Sequence, residues 1–268
     1  MSEAGWQDRR LGGGDEDALV REEPLRIEVA GQSLVTMRTP GQDEDLVLGF
    51  LLAEGLIAEA AEVEALERLP GSPRSETEEA RPDRLFVRLR GEASPARQGM
   101  LRRVQEIRPS CGLCGVEELV DLVPEGRELR RGWPEVARAR IPALFEAFTA
   151  RQELFKRTGG SHASALVTPA GEVAGFGEDV GRHNALDKAI GQAVRGGADP
   201  SGLLCLLSGR AGYELVAKAL RVGCPMILSL SAATALAFDL CREAGATLCG
   251  FCRGDGMRVY WDAGRLVG

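Results

Sequence analysis

The sequence predicts an α/β protein: a mainly parallel sheet with helices on both faces, preceded by a smaller α+β part. Three observations carry this. Continuous apolar runs recur in the second half as "LLCLLSGR", "PMILSLS" and "ATLCGFCRG". Helical patterns, "GYELVAKAL" and "AATALAFDLCREAG", separate them. Strands apolar on both faces need cover on both sides, and short connections through helices make neighbouring strands parallel.

Taken in order, residues 1–20 are polar and Gly-rich and read as a disordered tail. In "LRIEVAGQSLVTM", Leu25, Ile27 and Val29 alternate with polar residues, and Ala30-Gly31-Gln32 offers a turn into a second strand. "TPGQDEDLVLGFLLAEGLI" reads as a helix, with Asp43, Glu44 and Asp45 at its N-terminus and Gly55 as a stop. Pro70 to Asp83 is rich in Pro, Ser and charge and reads as a mobile surface loop. "RLFVRLR" is a strand, and residues 95–106 read as a helix leading to Cys111-Gly112-Leu113-Cys114. This first part is assigned to 21–135.

The larger domain is assigned to 136–268. Pro142 opens one helix through "ALFEAFTARQELFKR", ending at Gly159-Gly160. "HASALVTPAGEVAGF" reads as a strand hairpin turning at Pro169-Ala170-Gly171. In "NALDKAIGQAV", Ala185, Leu186, Ala189, Ile190, Ala193 and Val194 share one helical face. The strand and helix runs named above follow, and "MRVYW" closes the sheet.

The 268 residues are 44% hydrophobic but only 5% aromatic, so the core rests on Leu, Val, Ala and Ile. Net charge is −7, which argues against a general nucleic-acid binder. No apolar run reaches membrane-span length and no signal peptide is visible, so a cytoplasmic protein is expected. Seven cysteines without an export signal argue against a disulfide framework.

Ligands of open α/β sheets bind beyond the carboxyl ends of the strands. Three such ends read Ser208-Gly209-Arg210, Ser231 to Thr234, and Phe251-Cys252-Arg253-Gly254-Asp255-Gly256. Hydroxyls, Arg and backbone N–H groups at helix starts suit phosphate. A fourth junction, "GEDVGRHNALDK", adds Arg182 and His183. Neither GxGxxG nor a Walker pattern is present. The competing reading of each loop is ordinary turn chemistry.

One CxxC supplies two ligands where a closed zinc site needs four, and Cys205, Cys224, Cys241, Cys249 and Cys252 read as small core residues. Cys111 and Cys114 precede the helix-like "VEELVDL" and follow Arg102, Arg103 and Arg108. Helix dipole and local positive charge favour a thiolate there, able to carry a persulfide as well as a disulfide. Zinc, redox and sulfur-carrier chemistry all remain open on these residues alone.

"SCGLCGVEEL", "GFGEDVGRHNALDKAIG", "SAATALAFDL" and "TLCGFCRGDG", in that order, resemble the formate dehydrogenase accessory sulfurtransferase family, FdhD. The likeness runs from about Glu22 to the C-terminus. It implies a cytidine deaminase-like three-layer α/β/α domain with a smaller N-terminal part, commonly in a homodimer. It implies that a cysteine desulfurase loads sulfur onto Cys111 as a persulfide, with Cys114 auxiliary. The sulfur then passes to molybdenum or tungsten of a bis-molybdopterin guanine dinucleotide, the cofactor required by formate dehydrogenase. That cofactor is expected along Phe251 to Gly256, with GDP as its mimic. The fold invites a deaminase reading, but no Glu follows His162 in "SHASAL" as that chemistry requires. Two alternatives stand beside the sulfurtransferase: a zinc or thiol-redox enzyme using the CxxC, and a chaperone that only binds the cofactor.

Overall fold

The computed structural model describes residues 5–72, 81–91, 129, 132–254 and 256–268. It opens on an antiparallel hairpin of β1 (Trp6–Arg10) and β2 (Glu16–Val20). Most of the stretch read as a disordered tail is therefore ordered. Tertiary contact overrides the polar composition here. Ala18 is buried, Val20 lies against Gly160, and the Arg157 guanidinium sits 5.9 Å from the Trp6 ring.

A four-stranded sheet follows, in the order β4-β3-β6-β5, from β3 (Glu23–Val29), β4 (Gln32–Arg38), β5 (Val63–Leu69) and β6 (Asp83–Leu89). Ala30 and Gly31, both at positive φ, make the tight β3–β4 turn that the sequence marks. Strand β5 has a weak apolar alternation and was not foreseen. Asp83, read as the end of a loop, is the first residue of β6, where its carboxylate accepts hydrogen bonds from the buried Arg38 guanidinium and Gly71 N–H. Helix α1 (Asp43–Ala53) carries three acidic residues in its first turn, and Gly55 at φ 71° follows its end.

The second sheet has six strands in the order β13-β12-β11-β10-β8-β9: β8 (His162–Val167), β9 (Val173–Asp179), β10 (Leu204–Leu207), β11 (Met226–Ser229), β12 (Thr247–Arg253) and β13 (Gly256–Trp261). Only β10, β11 and β12 are mutually parallel; the other three pairings are antiparallel. The sheet is mixed, not mainly parallel. The β8–β9 and β12–β13 hairpins are too short for anything but antiparallel pairing, whereas helical crossovers join the central strands. A small parallel pair, β7 (Val136–Ala137) with β14 (Leu266–Val267), closes the chain.

Helices cover both faces. On one lies α2 (Ile141–Ala150), whose Ile141, Leu144, Phe145 and Phe148 pack on Leu204, Leu206, Met226 and Leu228. On the other lie α4 (Arg182–Arg195), α5 (Tyr213–Arg221) and α6 (Ala235–Ala244), packed on Cys205, Leu207, Ile227 and Leu248. Residues 142–157 do not form one helix. The chain breaks at Gln152 and restarts as α3 (Glu153–Thr158), because the Glu178 carboxylate accepts from Leu154 and Phe155 N–H and pins a new start. Helix α1 crosses α4, so the core runs from the N-terminal sheet into the larger one.

The polar residues of the "DVGRHNALDK" run hold this junction. Lys188 Nζ lies 2.7 Å from Asp179 and donates to Thr39 O at 2.9 Å. Asn184 Nδ2 donates to Met37 O at 2.7 Å. Asp187 receives two 2.9 Å bonds from Lys218 Nζ, which also pairs with Glu54 at the end of α1.

Candidate functional site

The cleft is built at the carboxyl ends of β10, β11 and β12. Because β8 runs antiparallel to β10, its first residue, His162, arrives at the same edge: Ser208 N–H donates to Ala163 O, and Ala163 N–H donates to Ser208 Oγ at 2.9 Å. Leu230 follows β11, and Cys252-Arg253-Gly254 ends β12. The Arg253 Nε donates to Leu230 O at 2.7 Å, which anchors one edge of the guanidinium on an otherwise exposed residue. The opposite wall is α2 and the α2–α3 break: Phe145, Glu146, Thr149, Gln152 and Phe155. Gly159 to Ser161 form the floor leading into His162. The cleft encloses about 910 Å³, the scale of a nucleotide-sized ligand.

Glu178 ties the two walls together. Besides capping α3, its carboxylate accepts from Ser161 Oγ at 3.3 Å. The His162 imidazole is held below its ordinary pKa of 6.5, first by burial and then by the positive charge of Arg182 and His183. Gly209 packs beside that ring, where an added Cβ would stand 3.4 Å from His162 Nδ1.

Of the residues expected to bind a ligand, Ser208, Cys252, Arg253 and Gly254 line this cleft. The others do not. Arg210 is exposed outside it, and Gly209 contributes its carbonyl to Ser229 Oγ. The Ser231 main-chain carbonyl accepts from Phe251 N–H, and the residue is not among those that line the cleft. The Thr234 hydroxyl caps α6 through Ala237 N–H. Phe251 turns outward at φ 53° with Arg258 over its ring, and Gly256 begins β13. Arg182 is exposed at the start of α4, and His183 Nε2 sits 2.5 Å from Glu214 of α5. At Thr234 the hydroxyl does the capping work that competed with ligand binding in the sequence reading. Cys111, Cys114 and Asp255 lie outside the described residues, as does the helix expected over 95–106.

The wall of Glu146, Gln152, Phe155 and Ser161 was not foreseen. The Gly159-Gly160 stop before His162 was its visible trace, but only the antiparallel β8–β10 pairing brings that stop to the strand ends.

The five described cysteines are all buried. Burial raises the thiol pKa of each, to about 11 at Cys252 and about 12 at Cys224 and Cys241. Among the described residues no cluster of His, Cys, Asp and Glu could hold a metal ion, and no helix is long and apolar enough to cross a membrane.

Comparison with known proteins agrees with this architecture. A crystal structure assigned to a formate dehydrogenase accessory protein from Desulfotalea psychrophila superposes with a TM-score of 0.68, over 98% of this chain and 97% of that one. It shares 21% identity, so it speaks to the fold alone. The sulfur carrier protein FdhD of Anaeromyxobacter dehalogenans strain 2CP-1 is 44% identical, over 96% of this chain and 91% of its own. Its namesake from Sulfurisphaera tokodaii is 37% identical, over 94% of this chain and 93% of its own. The FdhD/NarQ family model matches residues 20–267, and with that span and those identities the chain belongs to the FdhD/NarQ family.

Proposed function

We propose that this protein is a sulfurtransferase in formate dehydrogenase maturation, with Cys111 as the carrier. The observation that carries the reading is the burial of the five described cysteines. Every described cysteine is buried with a raised pKa, which leaves the CxxC pair as the thiols available for transfer. In the first step the Cys111 thiolate attacks the terminal sulfur of a desulfurase persulfide. A new S–S bond forms on Cys111, the donor's S–S bond breaks, and the donor cysteine leaves as its thiolate. Cys114 is auxiliary.

The acceptor in this reading is the bis-molybdopterin guanine dinucleotide, with molybdenum or tungsten, held in the strand-end cleft as a substrate. The cleft's size, the Arg253 head and the Ser208 hydroxyl are compatible with its pyrophosphate and nucleotide portion. A homodimer that meets a cysteine desulfurase and formate dehydrogenase in the cytoplasm belongs to the same reading. So does a cytidine deaminase-like relationship of the three-layer domain, without deaminase chemistry.

The test is to load the full-length protein with a cysteine desulfurase and sulfur-labelled cysteine. Label on the peptide containing Cys111, lost in Cys111→Ala, is expected. Label that persists at the wild-type level in Cys111→Ala removes the assignment.

A further inference from the structure

Strand β12 carries a second pair of cysteines at CxxC spacing, Cys249-Gly250-Phe251-Cys252. Residues three apart on a regular strand face opposite sides. Here they do not. Gly250 pairs with Arg258 and Arg253 with Gly256, three steps along β12 against two along β13, so β12 carries one extra residue. Phe251 takes up the excess, at φ 53° and 40% exposed, in a backbone conformation that an aromatic residue rarely adopts. The bulge turns both thiols to the α2 side, where Cys249 and Cys252 pack in one core with Phe145 and Phe148. They are close enough that charge on Cys252 disfavours charge on Cys249. Counted without the extra residue, they stand as neighbours two apart on a strand, about 7 Å between Cα atoms. That is close to the widest span a disulfide bridges, and Gly254 in the following turn lets the backbone give.

Cys252 lines the cleft, and Cys249 lies behind it. At 1% and 0% exposure neither is open to a protein donor, but a sulfur carried into the cleft meets Cys252 first. Burial raises both thiol pKa values, while a main-chain hydrogen bond with Ser229 works the other way at Cys252 and favours its thiolate. A dithiol whose reduced form gains little from ionisation parts with its electrons readily.

We propose that Cys249 and Cys252 are a reducing dithiol that converts a persulfide's outer sulfur to hydrosulfide inside the cleft. This rests on the persulfide reading given above and adds a source of electrons to it. A sulfane sulfur reaches the level of hydrosulfide by gaining two electrons, and a dithiol closing to a disulfide supplies two. First the Cys252 thiolate attacks the outer sulfur of the persulfide. A new S–S bond forms on Cys252, the donor's S–S bond breaks, and the donor leaves as a thiolate that takes up the proton Cys252 lost. The Cys249 thiolate then attacks Cys252 Sγ. The Cys249–Cys252 bond forms, the outer sulfur leaves as hydrosulfide, and the Cys249 proton is released. Exchange with an external dithiol reductant returns the pair to thiols.

The test uses a full-length Cys111→Ala/Cys114→Ala variant treated anaerobically with glutathione persulfide, so that sulfur carriage by Cys111 plays no part. Trypsin releases both thiols on the peptide 243–253, which excludes Cys241. That peptide should become lighter by two hydrogens, with about one equivalent of hydrosulfide released per chain in a rapid first phase. Adding Cys249→Ala should stop the sequence half-way: the peptide gains one sulfur atom on Cys252, and the rapid phase falls at least about tenfold. A buried cysteine variant can fail to fold, so the peptide from the chain with both thiols intact decides alone. No disulfide in it overturns the proposal, as does a rapid phase unchanged by Cys249→Ala. If the pair closes but labelled desulfurase sulfur never reaches Cys111 in the wild type, the carrier assignment falls and the dithiol stands. If label reaches Cys111 and the pair stays open, only the dithiol falls.

Discussion

Gly49 of α1 lies directly against Gly191 of α4. A Cβ built on Gly49 would stand 2.9 Å from Gly191 N and only 1.8 Å from Asp187 O; one built on Gly191 would stand 1.9 Å from Asp45 O. The two helices therefore cross with their backbones in contact, and only hydrogen fits at either position. This crossing joins the N-terminal sheet to the larger domain. Gly49→Ala and Gly191→Ala should each destabilise by roughly 1–3 kcal/mol or more, measured by urea denaturation. A loss below about 0.5 kcal/mol at both positions would mean that the crossing can open without cost.

Lys218 is the centre of the charges buried beside that crossing. Its Nζ pairs with Asp187 at 2.9 Å and Glu54 at 2.8 Å, and their negative charge raises its pKa against the opposing effect of burial. Lys218→Met would strip the Asp187 and Glu54 carboxylates of the cation that bridges them. The expected cost is about 3–5 kcal/mol in equilibrium unfolding. A variant that also carries Asp187→Asn should recover part of this, because one of the stranded charges is gone.

The elements with clear local signals were legible in the sequence: α4 and the β3–β4 hairpin by periodicity, α1 by its acidic start and Gly55 stop, and the three central strands as continuous apolar runs. The β1–β2 hairpin was not, since Ala18 and Val20 gain their burial from α3 and the loop after it, more than 130 residues away by sequence number. The candidate site was half legible. Strand ends can be read from apolar runs, so Ser208 and the Cys252 to Gly254 turn were found. Their partner wall could not be read, because the register of β8 on β10 decides which helix faces them. Arg182 and His183 are not among the residues that line the cleft, although their charges reach His162, which does. In the same run Asp179, Asn184, Asp187 and Lys188 clamp the N-terminal segment and α5.

His162 gives a pH prediction with a definite sign. Its folded pKa lies below the ordinary 6.5, through burial and the neighbouring Arg182 and His183 charges. Between those two pKa values the unfolded chain binds more protons than the folded one. Stability from this group is therefore complete above pH 6.5 and is lost as pH falls through the folded pKa. With only two histidines in the chain, imidazole NMR can follow each one, using His183→Asn for assignment. The His162 resonance should titrate below 6.5, and His162→Asn should flatten the stability loss in that window. A His162 midpoint at or above 6.5 would contradict the positive surroundings assigned to it.

The arginines separate a charge contact in the cleft from general electrostatic attraction. Arg253 lines the cleft with its guanidinium anchored through Nε on Leu230 O, at the strand ends. Arg210 is exposed outside the cleft, and Arg88 pairs with Glu67 on the N-terminal sheet. Arg253→Ala should weaken GDP binding by roughly 1.5–3 kcal/mol, the range for a hydrogen bond to a charged group. Arg210→Ala and Arg88→Ala remove the same net charge but no contact in the cleft, and each should change affinity by less than about 0.5 kcal/mol in buffer of physiological salt. Calorimetry on the three variants decides between the outcomes. Equal losses in all three would mean that GDP responds to overall charge and that Arg253 makes no particular contact. A loss confined to Arg210→Ala would move the phosphate site to the β10–α5 turn and leave the cleft without its anion.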